Sequence, residues 1–246
     1  MSEFFSDFKL VSLTGAIVSQ VQNVIAIGDS IILRGNVTEY YNGDGACVIG
    51  LFTSDGEFVR PIVKAGRGPG EVLTVEDVRV NKYTGTLDVL CDYGQNICQY
   101  DLRTFEMTGK HSLGETDIVV ANNILPMDES SYLVYKQYPY SPGQDYKVYV
   151  YDAKEKAIKS QFIEMDEALA ENLAFDQSNN LFEYDGDMYY YEGFGKYMYE
   201  YANGDLIPYM GFEENKYTLP DDALESVGSD LMKFVGTLES VPPSPR

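Results

Sequence analysis

Four residues with amide or carboxylate side chains, Asn23, Asp77, Asn123 and Asn180, recur at intervals of about 50 residues, each near the start of a short apolar run. Oxygen donors brought to a common axis could hold a hard cation or a polar ligand. The same pattern also fits polar strand ends lining a wet channel. Asp185-Gly186-Asp187 and Asn42-Gly43-Asp44-Gly45 offer oxygens that suit calcium as a cofactor, but neither has EF-hand spacing and both suit turns between strands. The Tyr-rich runs YPYSPGQDYKVYVY and YYYEGFGKYMYEY could stack a sugar or a peptide, or could form strand surface and packing between sheets. Within the first run, the segment KQYPYSPGQDY, with Tyr138 and Tyr140, is the leading binding loop, because loops on a rigid scaffold carry function.

Other chemistries find little support. His111 is the one histidine, there is no GxSxG elbow, and neither zinc spacing nor a His-rich metal centre exists. Three cysteines are too few for a disulfide scaffold. Cys91 and Cys98 flank the turn DYGQNI, as a facing pair or as two ordinary strand thiols. The net charge of −21 argues against nucleic acid and anionic membrane surfaces as partners. No run approaches the ~18 apolar residues of a membrane span. The opening MSEFFSDFKL lacks the basic and apolar regions of an export signal.

The elements that must position these residues are short strands. An aromatic residue followed by a polar turn recurs at Phe52, Tyr100, Tyr151 and Tyr201. Each repeat reads as an apolar strand, a tight turn and a second strand, as in NVIAI-GDS-IILRG and NLFEY-DGD-MYYYE, then a strand carrying the aromatic and a closing strand. Runs such as VIAI and IIL are apolar on both faces, as expected of strands covered from both sides. The pattern predicts an all-β propeller of four-stranded antiparallel blades near residues 20–65, 72–114, 117–163 and 175–212, as a single domain over 1–246. FKLVSLTG reads as an extra strand of the kind that completes the last blade in a closed ring. EMDEALAENLA reads as a helical turn. The tail 213–246 carries a short helix with Leu224, Val227, Leu231, Phe234 and Leu238 on one face.

The hexapeptide Gly66-Arg67-Gly68-Pro69-Gly70-Glu71 is neither a Walker loop nor a dinucleotide fingerprint. Its glycines and proline make a stiff link from an outer strand to the next inner strand; in a ligand-binding role Arg67 and Glu71 would carry it. Following SDGEFVRPI, GRGPGE resembles the six-bladed β-propeller proteins of Gram-negative gut-type bacteria, relatives of the NHL-repeat and TolB-like propellers. The likeness extends to SEFFSDFKLVSL and NVIAIGDSIIL, loosely over residues 3–220 and well over 48–101. Four blades plus a tail, where the family has six, make this chain a truncated or open form. The resemblance implies an extracytoplasmic, often lipid-anchored setting, although no lipobox is present. These readings favour a non-catalytic module binding an unknown protein, peptide or glycan. The rival is a metal-dependent lactonase- or lyase-like propeller enzyme with axial carboxylates, and a third option is a non-functional truncated copy.

Overall fold

The computed structural model describes residues 9–39, 47–68, 70–114, 116, 118, 120–136, 146–165, 180–191 and 197–211. Among them the chain forms four four-stranded sheets and no helix. The first contains β1 (Ala16–Ile27), β2 (Ser30–Glu39), β3 (Cys47–Thr53) and β4 (Phe58–Lys64). The second contains β5 (Val75–Asn81), β6 (Thr86–Cys91), β7 (Asn96–Asp101) and β8 (Met107–Ser112). The third contains β9 (Asn123–Pro126), β10 (Ser131–Tyr135), β11 (Tyr146–Asp152) and β12 (Ala157–Glu164). The fourth contains β13 (Leu181–Tyr184), β14 (Asp187–Tyr191), β15 (Tyr197–Ala202) and β16 (Asp205–Gly211). Strands lie side by side in chain order within each sheet. The result is an all-β propeller arrangement of four antiparallel blades.

Turn chemistry explains where strands stop. Asp185-Gly186 and Asn203-Gly204 have positive φ at both residues, as a two-residue hairpin turn requires. After β7 and β11, an aspartate next to the recurring tyrosine caps the turn. Asp101 accepts the N–H of Arg103 and Thr104, and Asp152 those of Lys154 and Glu155. The Thr104 and Arg103 amides hold the Asp101 carboxyl below its ordinary value. Part of the high acidic count is thus turn structure.

The recurring aromatic also has a packing role. Tyr100 lies in the apolar cluster shared with Ile32, Ile49 and Val63 of the first blade. Tyr151 lies among Leu90 and Ile97 of the second, and Tyr201 packs against the cluster holding Leu125 and Val150 of the third. Each therefore points at the blade before it. Phe52 occupies the same position in blade one, but it packs with Phe58, Ala16, Leu33 and Val37 on the face turned away from blade two. At the other end, blade four exposes Tyr184, Ile207 and Tyr209 on the face turned away from blade three. Every residue of β6 is buried, whereas the outer strands β8 and β16 are largely exposed.

One expectation meets a different result. The segment before β1 does not join the fourth sheet: Thr14 makes a parallel bridge to Glu57 beside β4. Its N–H bonds to the Gly56 carbonyl, and its own carbonyl accepts from Phe58, so its polar groups are met within blade one. Of the expected helical turn EMDEALAENLA, Glu164 ends β12 and the residues after Met165 lie outside the described residues, as does the C-terminal helix. Four blades are seen among the described residues, the number read from the sequence.

Gly94 tests how tightly the blades are tied. It sits at φ +70, and a Cβ there would lie 2.0 Å from the Ala121 carbonyl oxygen, an atom of the backbone leading to blade three. Gly204 has φ +85 and nothing within 4 Å. In urea unfolding, Gly204→Ala is expected to cost about 1 kcal/mol from backbone strain alone, and Gly94→Ala at least about 2 kcal/mol. Equal costs at the two sites would show that the clash is relieved.

Candidate functional site

The two rims of the propeller differ. At one rim the connections are short, two to five residues each: 28–29, 54–57, 82–85, 102–106, 127–130, 153–156, 185–186 and 203–204. At the other rim, where β1, β5, β9 and β13 begin, they run from four to sixteen residues: 40–46, 65–74, 92–95, 113–122, 136–145, 165–180 and 192–196. A tight hairpin has little surface to vary, whereas long connections on a rigid scaffold supply binding groups. The longer-looped rim is therefore the candidate site.

The first strand of each blade lies innermost, and its residues touch across blades: β5 meets β9, and β9 meets β13. The axial residues expected from the sequence serve this contact. Asp77 is buried, and its Oδ1 accepts the Val78 N–H. Its Oδ2 accepts from Arg79 Nε at 2.9 Å and from the Ile124 N–H of blade three at 3.1 Å. Arg79 reaches on to the Leu181 carbonyl of blade four at 3.0 Å. Asn123 Oδ1 accepts the Asn180 N–H at 3.2 Å, and Asn180 Nδ2 donates to the Tyr191 carbonyl at 2.9 Å. Between blades one and two, Arg34 donates to the Val75 carbonyl at 2.5 Å. Asn23 stands apart, half-buried and paired with Arg34 at the end of a register shift in β1. Asp77 and Asn123 thus bridge blades with their side chains, Asn180 receives the second bridge on its main-chain N–H, and Asn23 is not brought into that set.

Arg67 and Glu71 lie on the longer-looped rim. Arg67 is exposed. Glu71 folds back over its own loop, where its Oε2 accepts the Gly68 N–H at 2.7 Å. A Cβ on Gly66 would lie 1.9 Å from that same oxygen. The glycines make room for the carboxylate, and Gly66 N–H to the Val72 carbonyl (2.9 Å) closes the loop. Tyr138, Tyr140 and the 42–45 segment lie outside the described residues. Asp185 lies in a two-residue turn on the opposite rim, and Asp187 begins the strand that follows it.

Two groups escaped the sequence reading. Glu76 lies between Arg34 of blade one and Asp92 of the β6–β7 turn. Its Oε2 is buried without a hydrogen bond. Burial pushes this carboxyl above its ordinary value, the Thr74 and Gly94 bonds and Arg34 oppose the rise, and Asp92 adds to it. Nothing marked Glu76 among 39 acidic residues. The second is a buried chain in which His111 Nε2 meets Gln99 Oε1 at 3.0 Å. Gln99 Nε2 donates to the Tyr132 hydroxyl at 3.2 Å, and that hydroxyl donates to Asp88 Oδ2 at 2.7 Å. Asn81 and Thr86 complete the shell of Asp88. The chain ties blade two to blade three, and burial beside the Asp88 carboxylate drives the Tyr132 phenol up. Among the described residues no three His, Cys, Asp or Glu side chains gather as a metal site would need, and no helix is long and apolar enough to cross a membrane.

The model of a family described as a domain of unknown function, DUF4934, matches residues 1–240. No curated protein matches the sequence. Among solved structures, a Bacteroides fragilis protein described as exported is similar at TM-score 0.66 and 15% identity, over 84% of this chain and 55% of that one. The chain therefore spans little more than half the length of that relative. The WD40 propeller domain of Doa1 aligns at TM-score 0.43 and 9% identity, over 76% of this chain and 66% of that one. The extracellular domain of a B. thetaiotaomicron one-component system aligns at 0.45 and 10%, over 78% and 30%.

Two measurements probe the rim. Gly66→Ala must expel the Glu71 carboxylate from the Gly68 N–H, at a cost of about 1 kcal/mol. In a Glu71→Ala background the same change should cost nearly nothing, a coupling of about 1 kcal/mol in a double-mutant cycle; additivity would refute the cradle. Because the Glu76 value is raised in the folded state, its contribution is fully favourable below the ordinary value of 4.5 and is lost as pH rises through the folded value. Glu76→Gln should therefore be more stable than the parent at pH 8, by up to about 1 kcal/mol, with the gap closing at pH 4. A variant less stable than the parent at pH 8 would contradict this.

Proposed function

Since the chain belongs to the DUF4934 family, we propose that it is a non-catalytic, extracytoplasmic binding module that takes a protein, peptide or glycan on the rim where the inner strands begin. The observation that carries this reading is the unequal length of the connections at the two rims. The Tyr-rich connection 136–145 leaves from that rim, and tyrosine supplies contact area at low entropic cost. The axial polar residues support the non-catalytic reading, because the oxygens of Asp77 and Asn123 are taken up by bonds within their own blade and to the next one. The B. fragilis relative described as exported supports the location. The six-bladed, NHL- and TolB-like class is our reading of the ring type. It gives a neighbour to the outward faces of blades one and four.

Binding of the purified chain to glycan and peptide arrays tests the rim. Replacing residues 137–144 by a Gly-Ser segment of equal length should abolish the hits, while changing Lys154 and Glu155 on the opposite rim should leave them. Hits lost only in the second variant would move the site to the other rim. Millimolar calcium should leave Tm unchanged within about 1 °C. A rise of several degrees together with lactone hydrolysis would replace the binding module by the metal-dependent enzyme.

A further inference from the structure

Cys91 ends β6 and Cys98 lies in β7. The register sets Cys91 opposite Asn96 and Val89 opposite Cys98, so the two thiols share one face of the hairpin on a diagonal. Their Sγ atoms are 3.3 Å apart and both residues are buried in the cluster facing blade one. A disulfide needs ~2.05 Å, so the sulfurs must close by little more than 1 Å. Directly beyond them lies the turn Asp92-Tyr93-Gly94, with φ of 57, 61 and 70. This turn holds the connections on either side of blade two. Asp92 accepts from the Leu73 N–H at 2.9 Å and from Asn96 and Lys110 at 3.0 Å. The Tyr93 N–H donates to Thr74 Oγ1 at 2.7 Å, and the Ala121 N–H to the Gly94 carbonyl at 3.2 Å.

We propose that Cys91 and Cys98 form an intrachain disulfide that pins this turn and, through it, the links to blades one and three. The oxidant is a small-molecule or protein disulfide. The Cys98 thiolate attacks one of its sulfurs, forms a mixed disulfide and releases one thiolate. Cys91 loses its proton to that thiolate and attacks Cys98 Sγ, and the second thiolate leaves and is protonated from solvent by the proton Cys98 first gave up. Two thiols and one disulfide become one protein disulfide and two thiols, with two electrons passing to the oxidant. Cys98 is the entering nucleophile because Lys110 lies opposite it in the β7–β8 register and its charge favours the thiolate. In the folded blade the bond between the two sulfurs, then burial, pushes the Cys91 thiol up. Because blade one covers both sulfurs, the exchange belongs to folding, before that blade packs. The inference stands apart from the choice of ligand and agrees with an oxidising compartment.

The test refolds the full chain and a Cys47→Ser variant in a mixture of oxidised and reduced glutathione. The expected product is about 2 Da lighter than the reduced chain, with a peptide joining Cys91 to Cys98. Its Tm should lie several degrees above that of the reduced protein. Full alkylation of both thiols in denaturant after oxidative refolding of Cys47→Ser would overturn the bond. A cross-link to Cys47 in the parent chain, with no 91–98 link in the variant, would do the same. A bond that forms but leaves Tm unchanged would overturn the pinning role.

Discussion

The inner edge of each blade sets the constraint on which the arrangement depends. A sheet edge presents N–H and C=O groups that must be met. Neighbouring inner strands are splayed about the axis and do not join one ladder, so side chains must bridge them. Asp77 takes the Ile124 N–H, Asn123 takes the Asn180 N–H, and Arg34 and Arg79 reach the Val75 and Leu181 carbonyls. Carboxylate, amide and guanidinium are the groups long and polar enough for this. The ionic pair at Asp77–Arg79 is almost wholly out of solvent, where a lost partner would leave a charge unpaired. On an axis built in this way polar residues are held by bonds between blades.

The second constraint is coverage of two faces. A twisted four-stranded sheet with apolar residues on both sides needs a neighbour on each. The aromatic of the third strand meets that need against the preceding blade in three of the four repeats. Blade one turns Phe52 onto its own Phe58 instead. Blade four covers part of its outward face with stacked rings, Phe182 on Tyr189 at 5.4 Å and Tyr189 against Tyr209 at 5.1 Å.

The architecture was legible because its signals are local. The spacing of Phe52, Tyr100, Tyr151 and Tyr201 and the Gly-, Asp- and Asn-rich turns depend on neighbours in the chain. The site was less legible, because its chemistry depends on residues far apart in sequence. Asn23, Asp77, Asn123 and Asn180 look alike as a series, yet two bridge blades with their side chains, one meets a bridge through its main chain and one sits beside a strand irregularity. Whether a polar residue at a strand start faces solvent or a neighbouring backbone is decided by the stacking of blades. Glu76 is set apart only by Arg34 across the blade junction and by the turn above it. The GRGPGE loop was half legible: its stiffness follows from composition, but the space its glycines leave for Glu71 does not.

The strict chain order of strands within each blade bears on how the protein is made. Among the described residues every ladder joins strands adjacent along the chain, so the separation bridged by sheet hydrogen bonds is small even though the fold is all-β. Each blade can zip up as it leaves the ribosome or translocon, with long-range order limited to docking one finished blade on the next. Such a chain escapes the slow search usual for β-sandwiches. Its hazard lies at the growing end, where the newest blade shows a bare face until its successor arrives.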